Sequence, residues 1–185
     1  MSKSKIPTRN SRGAHEVDDY MDKAARFRHC QSLCLFEGQY LAYTDGSCWN
    51  SDPNRCGGSA YVVLNDKGRV IKAAHKGFKG TSSNRMEMLA IISALASIPQ
   101  GSDLIFLTDS QYALDAFSEG YPAAKNQDLI ALFRKYRSRL DNVQGWHIKG
   151  HNGTPLNEWC DYWSNYEYKT MREKCKQNAS QSNDF

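Results

Sequence analysis

The stretch Leu104 to Asp109, LIFLTD, decides how this chain is built. An apolar run of strand length ends in a threonine and a carboxylate, and Ser110, Gln111 and Tyr112 then open a helical segment. Asp109 is therefore expected at the C-terminal end of a buried strand, the edge where open α/β sheets place their chemistry. Two other segments deliver acids to the same place. YLAYTDGS reads as a strand ending at Asp45, and NRMEMLAIISAL as a helix carrying Glu87 near its start, where the helix dipole would favour its charge. A fourth acid, Asp161, follows in NEWCDYW. Carboxylates converging from separate elements repel one another in a low dielectric, and oxygen-ligated divalent cations relieve that repulsion.

Working outward, Tyr40 to Ser47 is the first strand, SAYVVLN the second, and Asn65 to Gly68 a hairpin turn into RVIKAAHKGF. Thr81, Ser82, Ser83 and Asn84 offer caps for a helix that runs to about Ser97 and closes at Pro99 and Gly101. After LIFLTD come a short helix, Gln111 to Phe117, and a longer one, Gln127 to Leu140. The longer helix has Leu129, Ile130, Leu132, Phe133 and Tyr136 on one side. VQGWHIKG is the last strand, parallel to LIFLTD through a helical crossover, and a long helix from Pro155 reaches about Lys174. The expectation is an α/β fold with a central five-stranded mixed sheet flanked by helices. Residues 1–38 read as an N-terminal extension, partly mobile with a short helix, residues 39–174 as the catalytic domain, and residues 175–185 as a flexible tail.

At 185 residues the chain suits one domain with a core. It has no run of roughly 18 apolar residues, so no membrane partner is expected. MSKSKIPTRN lacks a secretory apolar segment, so the six cysteines are read as thiols in an intracellular, cytoplasmic protein. Cys30 and Cys34 stand one helical turn apart, with Cys48 and Cys56 across a loop. The long second spacing, and a nearest histidine, His29, that abuts Cys30, argue against structural zinc. The net charge of +4 is uneven: Lys67 to Lys79 and Lys125 to Lys149 are local basic excesses that could track phosphates.

YTDGSC, NRMEMLA, LTDSQY and HNGTPLNEWCD, in that order over roughly residues 39–168, resemble the four signature blocks of type 1 ribonuclease H. The resemblance implies a ribonuclease H-like fold and hydrolysis of the RNA strand of RNA·DNA hybrids, with 5′-phosphate and 3′-hydroxyl products. It implies two divalent ions, normally magnesium with manganese as a substitute, held by Asp45, Glu87, Asp109 and Asp161. By the same resemblance Asp45 is shared by both ions, Glu87 and Asp109 serve the leaving-group side, Asp161 serves the nucleophile side, and His151 is a loop histidine that assists proton transfer or product release. Glu87 is also placed to sense a ribose 2′-hydroxyl.

Candidate contacts to the hybrid are Gly46, Ser47, Trp49, Asn50 and Asn54 near the first strand, and Ser82, Ser83, Asn84 and Gln111 near the helix starts. The basic candidates are Arg134, Lys135, Arg137, Arg139 and Lys149, aided by bases in the N-terminal segment. By helical spacing Lys135 and Arg139 share one face and Arg134 and Arg137 another, so one pair is expected to dominate. The chain departs from the family pattern in four places. Ser83 stands where asparagine is common, the Trp49 to Cys56 loop is long, no basic tryptophan-rich protrusion fits between Asp109 and His151, and the first 38 residues do not resemble the family's hybrid-binding module. The protein is expected to act as a monomer. Weighed beside this reading are another two-metal nuclease of the same fold acting on DNA, a nonenzymatic hybrid-binding domain, and an interaction module built on the aromatic residues Trp159 to Tyr168.

Overall fold

The computed structural model describes residues 17–120, 122, 125–150 and 153–181. In chain order the elements are α1 (Lys23–Ser32), β1 (Gln39–Cys48), β2 (Gly57–Asn65), β3 (Val70–Phe78), α2 (Ser83–Ala96), β4 (Asp103–Thr108), α3 (Gln111–Phe117), α4 (Gln127–Arg137), β5 (Asn142–His147) and α5 (Pro155–Gln181). The five strands form one mixed sheet in the order β3-β2-β1-β4-β5. β1 pairs antiparallel with β2, and β2 with β3, whereas β1–β4 and β4–β5 are parallel. This is the ribonuclease H-like α/β fold expected from the sequence.

The two-residue period of a strand sends neighbouring side chains to opposite faces, and the sheet uses both. Ala42, Val63, Leu104 and Phe106 join a core with α2, α3 and α4. Leu41, Tyr43, Val62, Leu64, Ile105 and Leu107 join a second core with Leu156, Trp159 and Trp163 of α5. That division explains why LIFL is continuously apolar rather than alternating: both its faces are covered. Trp159 and Trp163 therefore pack on the sheet instead of offering an exposed aromatic face.

Two boundaries differ from the sequence reading. α5 continues past Lys174 to Gln181, because Tyr168, Met171 and Cys175 recur at helical spacing and cover Cys56; the polar composition beyond Lys174 hides that stripe. Described residues before residue 39 also join the core. Val17 and Cys30 are fully buried with Leu41 and Tyr43, and Arg26 is only 4% exposed. Arg26 Nε donates to Gly68 O at 2.9 Å and Nη1 to Asp18 Oδ1 at 2.6 Å, so one of the N-terminal bases expected to grip substrate is an internal brace. Gly68 (φ +68°) in the β2–β3 turn has no room for a side chain: an added Cβ would lie 2.5 Å from Phe27 N.

Candidate metal and catalytic site

Asp45 shares the β1 face of Leu41 and Tyr43 and is 6% exposed. The next residue, Gly46, decides what reaches it. A Cβ at Gly46 would lie 2.2 Å from Glu87 N and 2.3 Å from Met86 C, so α2 crosses β1 in van der Waals contact with bare backbone. That crossing brings Glu87 alongside Asp45, and the Gly46 N–H donates to the Glu87 carboxylate. Asp109 arrives from β4. The parallel register matches Tyr43 with Leu107, and two residues further along each strand lie Asp45 and Asp109. Thr108 Oγ1 accepts from Ser110 N at 3.1 Å, and Ser110 rather than Asp109 caps α3, leaving the Asp109 carboxylate to the cluster.

One carboxylate oxygen from each of Asp45, Glu87 and Asp109 lies within 4.8 Å of the others. Among the described residues this is the only group of three or more His, Cys, Asp or Glu side chains so arranged. Burial pushes the Glu87 carboxyl well above its ordinary range, and the charges of Asp45, Asp109 and Asp161 push the same way; the Gly46 N–H opposes them weakly. The helix dipole does not win here, since Glu87 sits in the second turn of α2 and desolvation dominates. Glu87 Oε2 is buried without a hydrogen-bond partner. Three hard oxygen donors, one of them desolvated and unsatisfied, fit a divalent cation.

Asp161 on α5 stands outside the tight triad, but its charge reaches Glu87. Its Oδ1 accepts from Asn165 Nδ2 at 2.9 Å, and Asn165 Oδ1 accepts from Ser47 Oγ at 2.8 Å. Ser164 Oγ donates to Asp45 Oδ2 in a short hydrogen bond. Ser164 and Asn165 thus join α5 to β1 at the acids, and the sequence reading missed both. Their offsets of three and four residues from Asp161 were the available signal, since those offsets share a helix face. His151 lies outside the described residues. Gly150 is against the Asp109 carboxylate, where a Cβ would stand 2.4 Å from Oδ2.

The substrate-contact candidates divide into two groups. Around the start of α2, Ser82 caps the helix through Arg85 N, Ser83 Oγ donates to Cys48 O at 2.8 Å, and Asn50 Oδ1 accepts from Ser83 N at 3.4 Å. Asn84 and Asn54 are exposed there, and Trp49 is 51% exposed with the Arg172 guanidinium 4.6 Å above its ring. On the other side of the triad, Gln111 donates to Asp115 Oδ1 at 2.7 Å. It lines a groove of about 850 Å³ with Arg134, Arg137, Phe117 and His147. Lys135 and Lys149 are exposed away from that lining, and Arg139 lies over Tyr136 at 5.7 Å. The four cysteines considered for zinc do not gather. Cys30 Sγ is 3.6 Å from Asn65 O, Cys56 Sγ is 3.6 Å from Cys175 Sγ, and Cys34 is exposed.

Fold and acid geometry together define an α/β protein with a carboxylate cation site at the C-terminal ends of its central parallel strands. The RNase H family model matches residues 37–168, and the chain belongs to that family. Curated relatives include a ribonuclease H of Hahella chejuensis, 34% identical over 140 residues covering 69% of this chain and 91% of the relative. A ribonuclease H of Chromobacterium violaceum is 35% identical over 142 residues, covering 70% and 94%. The solved RNase H1 of the archaeon Halobacterium salinarum superposes with a TM-score of 0.60 at 16% identity, covering 72% of this chain and 99% of the other. The N-terminal RNase H domain of a Mycobacterium tuberculosis protein gives 0.64 at 14% identity, covering 75% and 99%.

Proposed function

We propose that the protein is an endonuclease that hydrolyses the RNA strand of RNA·DNA hybrids, leaving 5′-phosphate and 3′-hydroxyl ends. The observation that carries this reading is the Asp45–Glu87–Asp109 triad with its buried, unpartnered Glu87 oxygen, in a chain of the RNase H family. Asp45, Glu87, Asp109 and Asp161 would hold two divalent ions, magnesium or manganese, which when bound supply a water-derived nucleophile and neutralise charge on the leaving oxygen.

The chain's own residues do the positioning. Gly46 N–H and the α2 crossing fix Glu87, whose carboxylate is the group to accept from a ribose 2′-hydroxyl. Ser164 orients Asp45, and Asn165 orients Asp161. His151 moves a proton at the scissile phosphate or its product. The α2 start, with Ser82, Ser83, Asn84, Asn50, Asn54 and Trp49, and the groove of Gln111, Arg134 and Arg137 flank the triad as contacts for the two strands; Gly46 and Ser47 lie between them. No helix among the described residues is long and apolar enough to cross a membrane. A single copy supplies every group invoked, so the monomer suffices.

The test is a strand-labelled assay on RNA·DNA, RNA·RNA and DNA·DNA duplexes, with magnesium and with chelator. The expected result is cleavage of the RNA in the hybrid alone, and only with the metal. Asp109→Asn should lower kcat by at least about 1000-fold with the fold intact, whereas His151→Ala should retain weak activity, reduced about 10- to 1000-fold. Metal-independent cleavage, or an Asp109→Asn variant that cuts like the parent, would overturn the assignment.

A further inference from the structure

The sulfur atoms of Cys56 and Cys175 lie 3.6 Å apart although 119 residues separate them. Cys56 immediately precedes β2 and is fully buried, Cys175 on α5 retains 9% exposure, and Tyr168 and Met171 close the cluster around them. The approach is set by glycine. At Gly58 an added Cβ would stand 1.9 Å from Ser164 O and 2.8 Å from Tyr168 N, so the α5 backbone rests on the first residues of β2. One turn before Cys175, Arg172 lies over the Trp49 ring, and its Nε is 3.6 Å from Asp52 Oδ2. The loop of residues 49–56 is therefore tied to α5 at a ring, a buried carboxylate and a sulfur.

We propose that Cys56 and Cys175 are an oxidative modification site: a small-molecule disulfide oxidises them to a disulfide that clamps the 49–56 loop to α5. Closure needs the sulfurs to approach from 3.6 Å to about 2.05 Å. Cys175, the more accessible thiol, attacks first as its thiolate. One sulfur of the oxidant joins Cys175 Sγ, the oxidant's S–S bond breaks, and one small thiolate leaves. Cys56 then gives its proton to solvent and attacks Cys175 Sγ, breaking the mixed disulfide and expelling the second small thiolate. Two protein thiols lose two electrons, and the oxidant is reduced to two thiols. Burial raises the Cys56 thiol above its ordinary range, and the proximity of the two sulfurs makes the second step intramolecular.

The bond would cross-link residues far apart in sequence, so it removes much conformational freedom from the unfolded chain. The full chain is incubated with oxidised glutathione at pH 8, alkylated, digested and analysed by mass spectrometry, with Tm recorded in parallel. The expected result is a peptide pair joined through Cys56 and Cys175, a Tm raised by roughly 5–10 °C, and reversal of both by dithiothreitol. Cys175→Val should abolish the linked pair and the rise. A control, Cys34→Ser, removes the exposed thiol and should leave both in place. Glutathione found on Cys34 or Cys175 with no linked pair, or a linked pair whose formation leaves Tm unchanged or lower, overturns the proposal. Neither readout requires nuclease activity, so the outcome is independent of the hydrolytic reading.

Discussion

Glu87 is where the cost of assembling the site is concentrated. In the metal-free protein its carboxyl is raised above the ordinary value of 4.5 by burial and by three neighbouring acids. A group whose folded pKa exceeds its unfolded one favours the fold while protonated. Its contribution is fully present below the unfolded value and is lost as pH rises through the folded value. In chelator, the parent should therefore lose Tm relative to Glu87→Gln as pH rises above the ordinary value of 4.5. About 1 kcal/mol moves Tm by about 2–4 °C in a chain of this size, so the gap is readable as a Tm difference. Magnesium should close the gap by stabilising the parent alone. Thermal scans of both proteins across pH, with and without metal, decide this; parallel curves in chelator would show that Glu87 ionisation is not a folding cost. At this scale the three acids that gather, Asp45, Glu87 and Asp109, were legible in the sequence because each ends or enters a recognisable element. Ser164 and Asn165 were not read, because their helical offsets from Asp161 place them on its face without showing that Ser164 reaches the distant Asp45 carboxylate.

Helix α4 illustrates how an element resolves what periodicity leaves open. Four bases within six residues cannot face one way, and spacing alone divides them into two pairs without ranking them. The fold separates them: Arg134 and Arg137 line the groove that Gln111 and His147 share, while Lys135 is exposed outside that lining and Arg139 lies over Tyr136. In an Asp109→Asn background, Arg134→Ala with Arg137→Ala should weaken hybrid binding at all sequences and reduce the magnitude of the logarithmic salt slope by up to about 2. The Lys135, Arg139 pair replaced likewise should change it little. Titrations at several salt concentrations check both, and equal effects from the two pairs would remove the groove from the binding surface. The strands, the β1–β2–β3 meander and the parallel β4–β5 crossover were readable from apolar runs and turn residues, whereas the pairing of β1 with β4 was not. The true end of α5 was not, because its last apolar stripe serves one small cluster, Cys56, Tyr168, Met171 and Cys175.

The whole molecule is larger than its family span. Residues 37–168 match the family model, but Val17, Arg26 and Cys30 before it and Met171, Arg172 and Cys175 after it complete the cores or brace the sheet. A chain cut to residues 37–168 should lose Tm by more than about 10 °C or fail to remain soluble, since it bares the apolar surface of Leu41, Tyr43, Val62 and Cys56 and breaks the buried Arg26 network. Thermal shift and gel filtration beside the full chain test this. A cut chain as stable as the parent would make both flanking segments dispensable.

The hydrogen bond from Ser164 to Asp45 also has a consequence in time. The two residues are 119 apart, and at about 5–20 residues per second a ribosome adds Ser164 roughly 6–24 s after Asp45. Once residue 78 has been added β1, β2 and β3 are all present, yet until α5 follows the face it will cover stays bare and Asp45 lacks its partner. A nascent chain is thus both sticky and catalytically silent. The site around Asp45 is completed only once the last long helix has been made and docked.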